Sequence, residues 1–583
     1  MAIGRHELTS HCEVDLLERR MEARLKQLID RWGALSLVLL GLLVLLPGTF
    51  EIPLLDRDEP RFSQATAEMM DRQEWTIPYF NGDYRFDKPP LTYWWMRVHY
   101  WILGKGEIGA RLHSVFSSLL VAVGLFLFGR RHFDAFASWV AAFAWLTCFQ
   151  VFQHGRLALA DMPMIAAVFY ALWAFYELTL PREDDQPRWK WFWLFYVSLG
   201  LGFLAKGPIA LATPIVAILL YRLLFWRKPL DWKTLRPMRG FLVVLAMVGA
   251  WGIPALITTH GLFWQIGMGK HVIDRGMEAF NDRKVVPFYY LVTVFISLFP
   301  WIAFFGKRLR NLKSGWNRQT AFLIAWIISP YLIFLFYSTQ LPHYVMPAFP
   351  ALLLWMMLAF TDQDLPWGKL GSIWFWVYIG LWETLLTGLL IWVLGSDLAI
   401  LSLKWGLAAL LVVMFCLDGI VVSFRYRVYG FVIPLLLCIA VSQVLLGKEM
   451  RKLSPVLPIA RMVEQLPPDT RLVGVGFEEP SLVFYTGRVW DFKVDKEDLL
   501  RDINSEEGRH SFYVVLDHEQ IVDQLITEGW GGQAAEYRKV LGMDLKAAVS
   551  GTHVVTHVKG LNFARMRWSE IVVLFPKDPL PSS

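Results

Sequence analysis

With 583 residues, 55% of them hydrophobic, 41 Phe and 28 Trp, and a mean hydropathy of +0.40, the chain carries more apolar surface than one water-soluble core can hide. A soluble globular enzyme is excluded, and a polytopic α-helical membrane protein surrounded by membrane lipids is expected. The net charge of +6 is modest and follows from basic connections between apolar runs, so it is not a nucleic-acid footprint and no nucleic acid is expected as a partner.

Residues 1–33 place Leu16, Leu17, Leu25, Leu28 and Ile29 among Arg19, Arg20, Arg24, Lys26 and Arg31, the pattern of a cytoplasmic amphipathic segment. The apolar run that follows begins late and lacks a small-x-small cleavage site, so it is expected to stay as a span. Residues 34–447 form the transmembrane domain, in which about thirteen stretches are long enough to cross roughly 30 Å of hydrocarbon. They cover residues 35–50, 111–129, 135–151, 161–180, 191–205, 208–225, 240–259, 288–305, 320–338, 345–360, 372–395, 399–421 and 428–446. Gly207-Pro208 reads as a turn between two spans, with a kink in one continuous segment as the alternative; a kink would invert everything downstream.

If the spans alternate, Arg130-Arg131, the stretches 222–239 and 307–318, and Arg425 with Arg427 fall on one side. The positive-inside rule makes that side the cytoplasm, with the amino terminus inside and the carboxyl-terminal segment outside. Cys12, Cys148, Cys416 and Cys438 lie in the amino-terminal tail or in spans, so neither a disulfide framework nor a paired-cysteine metal site is expected.

Three outward segments stand out: loops 51–110 and 260–287, and the tail 448–583. A loop of about sixty residues rarely stays structureless, and Trp94, Trp95, Tyr100 and Trp101 recur at helical spacing, so helices along the outer membrane surface are expected. In the tail, 471–477, 511–516 and 571–575 read as strands and 518–528 and 533–541 as helices, which predicts a small α/β domain.

Asp58, at the outer end of the first span beside Glu59 and Arg61, suits a general base towards a hydroxyl; a solvated helix cap is the alternative. Asp161, preceding Met162-Pro163, is first an N-cap by pattern, but the charge count puts it on the same membrane face as Asp58. Arg61, Arg85, Lys88, Lys206, Lys270 and Arg275 gather there too, with His271 and His343. Outward loops normally avoid such enrichment, so an anionic partner, phosphate above all, is expected, with membrane-anchoring roles as the alternative for Arg85 and Lys270. Tyr344, in the tight connection Leu341-Pro342-His343-Tyr344, either donates to a phosphate oxygen or belongs to the interfacial aromatic belt. Asp87 and His271 offer two metal ligands with no third in a recognised spacing, which does not define a metal site.

These motifs resemble those of the GT-C type, polyprenyl-phosphate-sugar-dependent glycosyltransferases, in particular the bacterial lipid A aminoarabinose transferases, with the protein O-mannosyltransferases as more distant relatives. The resemblance rests on Asp58-Glu59-Pro60-Arg61-Phe62, Phe86-Asp87-Lys88-Pro89-Pro90, Asp161-Met162-Pro163, Ala205-Lys206-Gly207, His271-Val272-Ile273-Asp274-Arg275 and Leu341-Pro342-His343-Tyr344. It implies an inner-membrane enzyme with a periplasmic tail domain that takes a sugar from a polyprenyl phosphate and passes it, with inversion, to a lipid acceptor such as lipid A. In that frame Asp58 and Asp161 are catalytic. Lys88, Arg275, Tyr344 and Arg61 hold the donor phosphate, and Lys206, Glu59, Phe62 and His343 line the substrate site. No cofactor is required, a divalent metal remaining optional.

The chain has Phe62 where those transferases usually have Tyr, Asp87 where they usually have Glu, and His343 where many have Thr. A paralogue acting on another glycolipid, polysaccharide or protein therefore stays an alternative. A lipid-linked sugar transporter would instead need ionisable groups at the midplane and broken helices in two matching halves, and a scaffold acting through its tail would tolerate replacement of the loop carboxylates.

Overall fold

The computed structural model describes residues 26–577 apart from 56, 182–187, 226–231, 268–285, 287, 310–315, 336, 338, 361–367, 397, 399, 427–428, 495–498, 517–550, 564 and 566. Among the described residues eight helices are long and apolar enough to cross a membrane, nine if one bent pair counts as a span. The first is α1 (Lys26–Leu45), which runs unbroken from residues 26–33, the described part of the expected amino-terminal segment, into the first apolar run. The outer loop that follows folds into α2 (Asp58–Asp71), a hairpin of β1 (Tyr79–Phe80) and β2 (Asp83–Tyr84), and α3 (Leu91–Leu103). The surface helices expected there are present, and Trp101 on α3 is 84% exposed.

The bundle continues with α4 (Glu107–His132), α5 (Ala135–Thr147), α6 (Phe149–His154), α7 (Asp161–Leu178), α8 (Trp189–Lys206) and α9 (Ile209–Leu219), the last running into a π-helical turn, Leu220–Phe225. Asp134 starts α5 by accepting the Ala137 N–H at 2.8 Å, a side-chain N-cap. The single span expected over 135–151 is interrupted at Cys148, where extended backbone separates α5 from α6. At Gly207 the backbone takes φ +75, which glycine adopts without the clash a Cβ would bring, and Pro208 then caps α9. The Gly207-Pro208 break is therefore a turn.

The span expected over 288–305 is also corrected: Tyr289–Ser297 and Trp301–Leu309 meet at 106°. Pro300 lacks the N–H that a continuous helix needs, and the corner seats against α5 and α6, with Phe149 N–H bonded to Phe299 O at 2.9 Å and Trp301 Nε1 to Thr147 Oγ1 at 2.9 Å. The remaining long helices are Trp232–Thr258, Arg318–Leu335, Pro342–Phe360, Lys369–Gly395, Leu401–Arg425 and Tyr429–Leu453. Pro342–Phe360 begins as a 3-10 turn, Pro342–Ala348.

The two ends of the bundle are chemically distinct. At one end Glu177, in the last turn of α7, receives Arg131 (3.0 Å) and His132 (2.8 Å) from α4, while Arg188 ahead of α8 donates to the Glu177 and Leu180 carbonyls. Arg318 there donates to Thr179 O and to Tyr221 in the π-turn. The 18 residues of α7 span roughly 27 Å, so Asp161, Lys206 and the Pro342–Ala348 turn lie at the opposite end, as the alternating threading requires.

Asp418, on Leu401–Arg425, is fully buried, and neither of its carboxyl oxygens has a hydrogen-bond partner among the described residues. Asp418→Leu is expected to raise stability by about 1–3 kcal/mol, seen as a higher melting temperature in detergent. A lower one would show that the carboxyl has a partner.

The tail forms a five-stranded sheet in the order β4-β3-β5-β7-β6. Its parallel half holds β3 (Leu472–Val475), β4 (Trp490–Asp491) and β5 (Phe512–Leu516); β3 and β5 are buried throughout, which accounts for their unbroken apolar sequences. The strand expected at 571–575 is longer, β7 (Arg567–Pro576), because β6 (His553–Asn562) pairs antiparallel along all of it. The two expected helices at 518–528 and 533–541 lie outside the described residues.

Candidate active site

The end of the bundle carrying Asp161 is built around one buried ion pair. Arg111, in the first turns of α4, is 1% exposed and Glu59, on α2, is fully buried. Arg111 uses all five guanidinium N–H groups: Nε and Nη2 each reach Glu59 at 2.9 Å, and the remaining bonds go to the carbonyls of Thr49, Ile52 and Pro53 at 2.7–2.9 Å. Glu59 also accepts the N–H groups of Leu55 (2.6 Å) and Ala158 (2.7 Å). One carboxylate thus ties the start of α2 to the segment leading into α7, and Asp58 and Asp161 occupy the same end of the bundle. Glu59 was expected to line the substrate site; its saturation with internal donors makes it a structural anchor instead.

Asp58, exposed in the first turn of α2, faces a cationic group. Its charge acts on Arg61 and Arg85, and Arg85 forms an ion pair with Asp87 at 2.9 Å. Burial and the neighbouring Arg85 hold the Arg61 guanidinium below its usual range despite Asp58 and Asp87. Burial works against the charge on Arg85 too, but Tyr93, whose hydroxyl takes the Arg85 Nε–H at 3.2 Å, and Asp87 keep it above its ordinary value. Phe62 is also corrected: it is buried, stacks on Tyr93 with centroids 5.3 Å apart, and carries the Arg85 guanidinium over its ring at 5.3 Å. Phe62 thus supports the cation from within an apolar cluster shared with Tyr93.

A second group assembles around Asp161. Ala160 occupies the cap position of α7 and the Asp161 side chain makes no cap bond; its carboxylate turns to Lys206 Nζ at 2.5 Å. The N-cap reading of Asp161 is thereby set aside. His343 Nε2 stands 3.9 Å from the same carboxylate, and the Lys206 ammonium lies 5.7 Å from the centre of the Tyr344 ring. Tyr344 packs on Phe334 with centroids 4.8 Å apart. Lys206, Asp161, His343 and Tyr344, scattered over nearly two hundred residues, therefore lie close together.

Sequence reasoning missed His154, whose ring lies 4.8 Å from His343, and Gln150, which bridges His154 (3.0 Å) and Ser297 (3.1 Å). It also missed Arg111 and Tyr93. Arg111 had a signal, a cation heading an apolar run; the other three had none beyond residue type.

The two groups adjoin: the Pro89 ring lies 4.0 Å from where a side chain at Gly207 would begin, so the Asp87-Lys88-Pro89 loop abuts the turn after Lys206. Together Arg57, Arg61, Arg85, Lys88 and Lys206 outnumber Asp58, Asp87 and Asp161, an excess that suits an anion such as phosphate. Lys270, His271 and Arg275 lie outside the described residues. Among the described residues no group of three or more His, Cys, Asp or Glu could hold a metal ion, and Asp87 is engaged by Arg85.

Helical bundle, outer-loop helices and tail sheet together make this a polytopic α-helical membrane protein with a small carboxyl-terminal α/β domain. Residues 87–253 match the family described as dolichyl-phosphate-mannose-protein mannosyltransferase. The chain is also similar to undecaprenyl phosphate-alpha-4-amino-4-deoxy-L-arabinose arabinosyl transferases: 30% identical over 345 residues to that of Yersinia pestis (strain Pestoides F), covering 58% of this chain and 61% of the relative. The match to the Yersinia enterocolitica protein is 29% over 352 residues, with the same coverage. The matched region thus spans about three-fifths of the length of these curated relatives.

In fold the likeness extends further. ArnT from Cupriavidus metallidurans, solved bound to undecaprenyl phosphate, superposes with a TM-score of 0.72 at 19% identity, covering 94% of this chain and 98% of that one. The apo oligosaccharyltransferase of Archaeoglobus fulgidus superposes at 0.50 with 12% identity, over 90% of this chain and 73% of that one.

Proposed function

We propose that this chain is a polyprenyl-phosphate-sugar-dependent glycosyltransferase, which moves a 4-amino-4-deoxy-arabinose or related sugar from an undecaprenyl phosphate carrier to lipid A at the periplasmic face of a bacterial inner membrane. The observation that carries this reading is the meeting of Asp161, Lys206, His343 and Tyr344 beside the Asp58–Lys88 cationic loop at one end of the bundle. The names of the relatives supply the substrate class. Sidedness follows from charge: the end with Arg131, Arg188 and Arg318 faces the cytoplasm, and the site with the tail domain faces out.

In the reaction the acceptor oxygen attacks the anomeric carbon while the bond to the carrier's phosphate oxygen breaks, and the phosphate leaves with the electron pair. Negative charge builds on that phosphate, and Lys88, Arg61, Tyr344 and, in the segment beyond the described residues, Arg275 stabilise it. Lys206, held by Asp161, fixes the positive field at the floor of the site. Asp58 takes the acceptor's proton if the acceptor is a hydroxyl; with a phosphate acceptor, already deprotonated, it positions the nucleophile.

Mass spectrometry of lipid A and of membrane glycolipids from cells with and without this protein tests the reading. An added aminopentose mass on lipid A that disappears on deletion, and also in cells carrying only Asp58→Asn, is expected. An unchanged lipid A pool with a changed glycolipid pool would move the acceptor to another lipid. Full transfer by Asp58→Asn would remove the loop carboxylate from the chemistry.

A further inference from the structure

Among the described residues the tail domain hydrogen-bonds the outer loop at Leu54 and at the β1–β2 turn, and both lie on segments that carry the cationic group. In the short helix Pro480–Thr486, the Tyr485 hydroxyl accepts the Leu54 N–H at 2.9 Å and donates to Glu107 at 3.1 Å, and Arg451 pairs with the same Glu107 oxygen at 3.0 Å. Leu54 lies four residues before Asp58 and is 4% exposed, in an apolar cluster with Phe62 and Tyr93 against which Phe484 of the tail packs.

The second point is the turn of the β1–β2 hairpin. Asn81, at φ +56, uses its side-chain amide as a strand edge would: Nδ2 donates to Trp490 O and Oδ1 accepts Trp490 N–H, both at 2.8 Å. Glu68 on α2 accepts the N–H groups of Asn81 (2.8 Å) and Gly82 (3.1 Å), so the hairpin is held from both sides. The chain runs directly from this hairpin into Arg85, Asp87 and Lys88.

We infer that the tail domain is a positioning clamp for the active-site loop, with Tyr485 setting the Leu54–Asp58 approach and the Asn81–Trp490 pair setting the hairpin that presents Arg85 and Lys88. This rests on the transferase reading for its effect on rate, but the mechanical link stands on its own contacts. One grip, at Leu54, stands just ahead of Asp58 and Arg61 in sequence, and the other, at Asn81, stands just ahead of Arg85 and Lys88. Releasing either shifts charged groups relative to the substrate without removing one, the kind of misplacement that lowers turnover more than binding.

The test uses full-length protein in detergent or nanodiscs with Tyr485→Phe and, separately, Asn81→Ala. Each is expected to raise amide hydrogen exchange in its own segment, residues 54–60 or 79–88, and to lower kcat for sugar transfer about tenfold while the donor KM stays within about twofold. Folded yield and melting temperature should stay close to the parent. Unchanged exchange in those segments overturns the clamp, as does unchanged kcat in an active preparation, or a loss of activity that only follows loss of folded protein. A parent protein that transfers no sugar yet loosens on substitution would remove the proposed function and leave the clamp standing.

Discussion

Arg111→Met is expected to cost about 3–5 kcal/mol, enough to abolish recovery of folded, monodisperse protein from the membrane. The reason is local and complete: the substitution strands Glu59, fully buried, and leaves the carbonyls of Thr49, Ile52 and Pro53 without their donor. Breaking a buried pair from one side is far more damaging than replacing both members. Arg111→Met combined with Glu59→Leu is accordingly expected to regain part of the loss, the shortfall coming from the Thr49, Ile52 and Pro53 carbonyls that Arg111 served and from the Leu55 and Ala158 N–H groups that Glu59 served. Thermal unfolding of the purified variants, read by fluorescence size exclusion, checks both. A single variant as stable as the parent would show that the pair does not hold this end of the bundle together.

Lys206→Met is expected to lower sugar transfer by about 100- to 1,000-fold, the range seen when one preorganised charge at a reacting centre is removed. Part of any loss could come from folding, because Asp161 is only 6% exposed and would lose its counter-charge. The double variant Lys206→Met with Asp161→Asn separates the two: neutralising both members restores the melting temperature but not the turnover. Transfer from purified donor lipid, followed by mass spectrometry beside a thermal-shift measurement, gives both readings. Recovery of turnover in the double variant would make Lys206–Asp161 a purely structural pair.

The membrane architecture was legible because hydrocarbon imposes long apolar runs, and the boundaries of α4, α7 and α8 fall within a few residues of the expected ones. What escaped was set by tertiary contact. The corner at Pro300 depends on Thr147 and Phe149, about 150 residues away, and the length of β7 depends on β6, whose polar residues hid its strand character.

The site was readable to the same degree. Residue type and sidedness marked Asp58, Asp161, Lys206, His343 and Tyr344, because ionisable groups at an outer membrane face have few bland uses. Neither could say which carboxylates face inward. Asp58 and Glu59 are neighbours of the same charge, yet one is exposed and the other is sealed against Arg111, a difference that α-helical periodicity and the partner on α4 decide. His154 needed the 3-10 turn at Pro342–Ala348 to bring His343 to it.

The hydrogen bond from Leu54 to Tyr485 joins positions 431 residues apart. At roughly 5–20 residues per second of synthesis, the amino-terminal loop waits about 20–90 s before its partner is made. During that interval the bundle can insert and pack while the loop still lacks its Tyr485 and Trp490 partners, so on the clamp proposal the loop reaches its final placement only once the last domain has folded. The carboxyl-terminal sheet thereby sets when the loop is fully placed, and synthesis halted before that point would leave an inserted bundle with an unlatched loop.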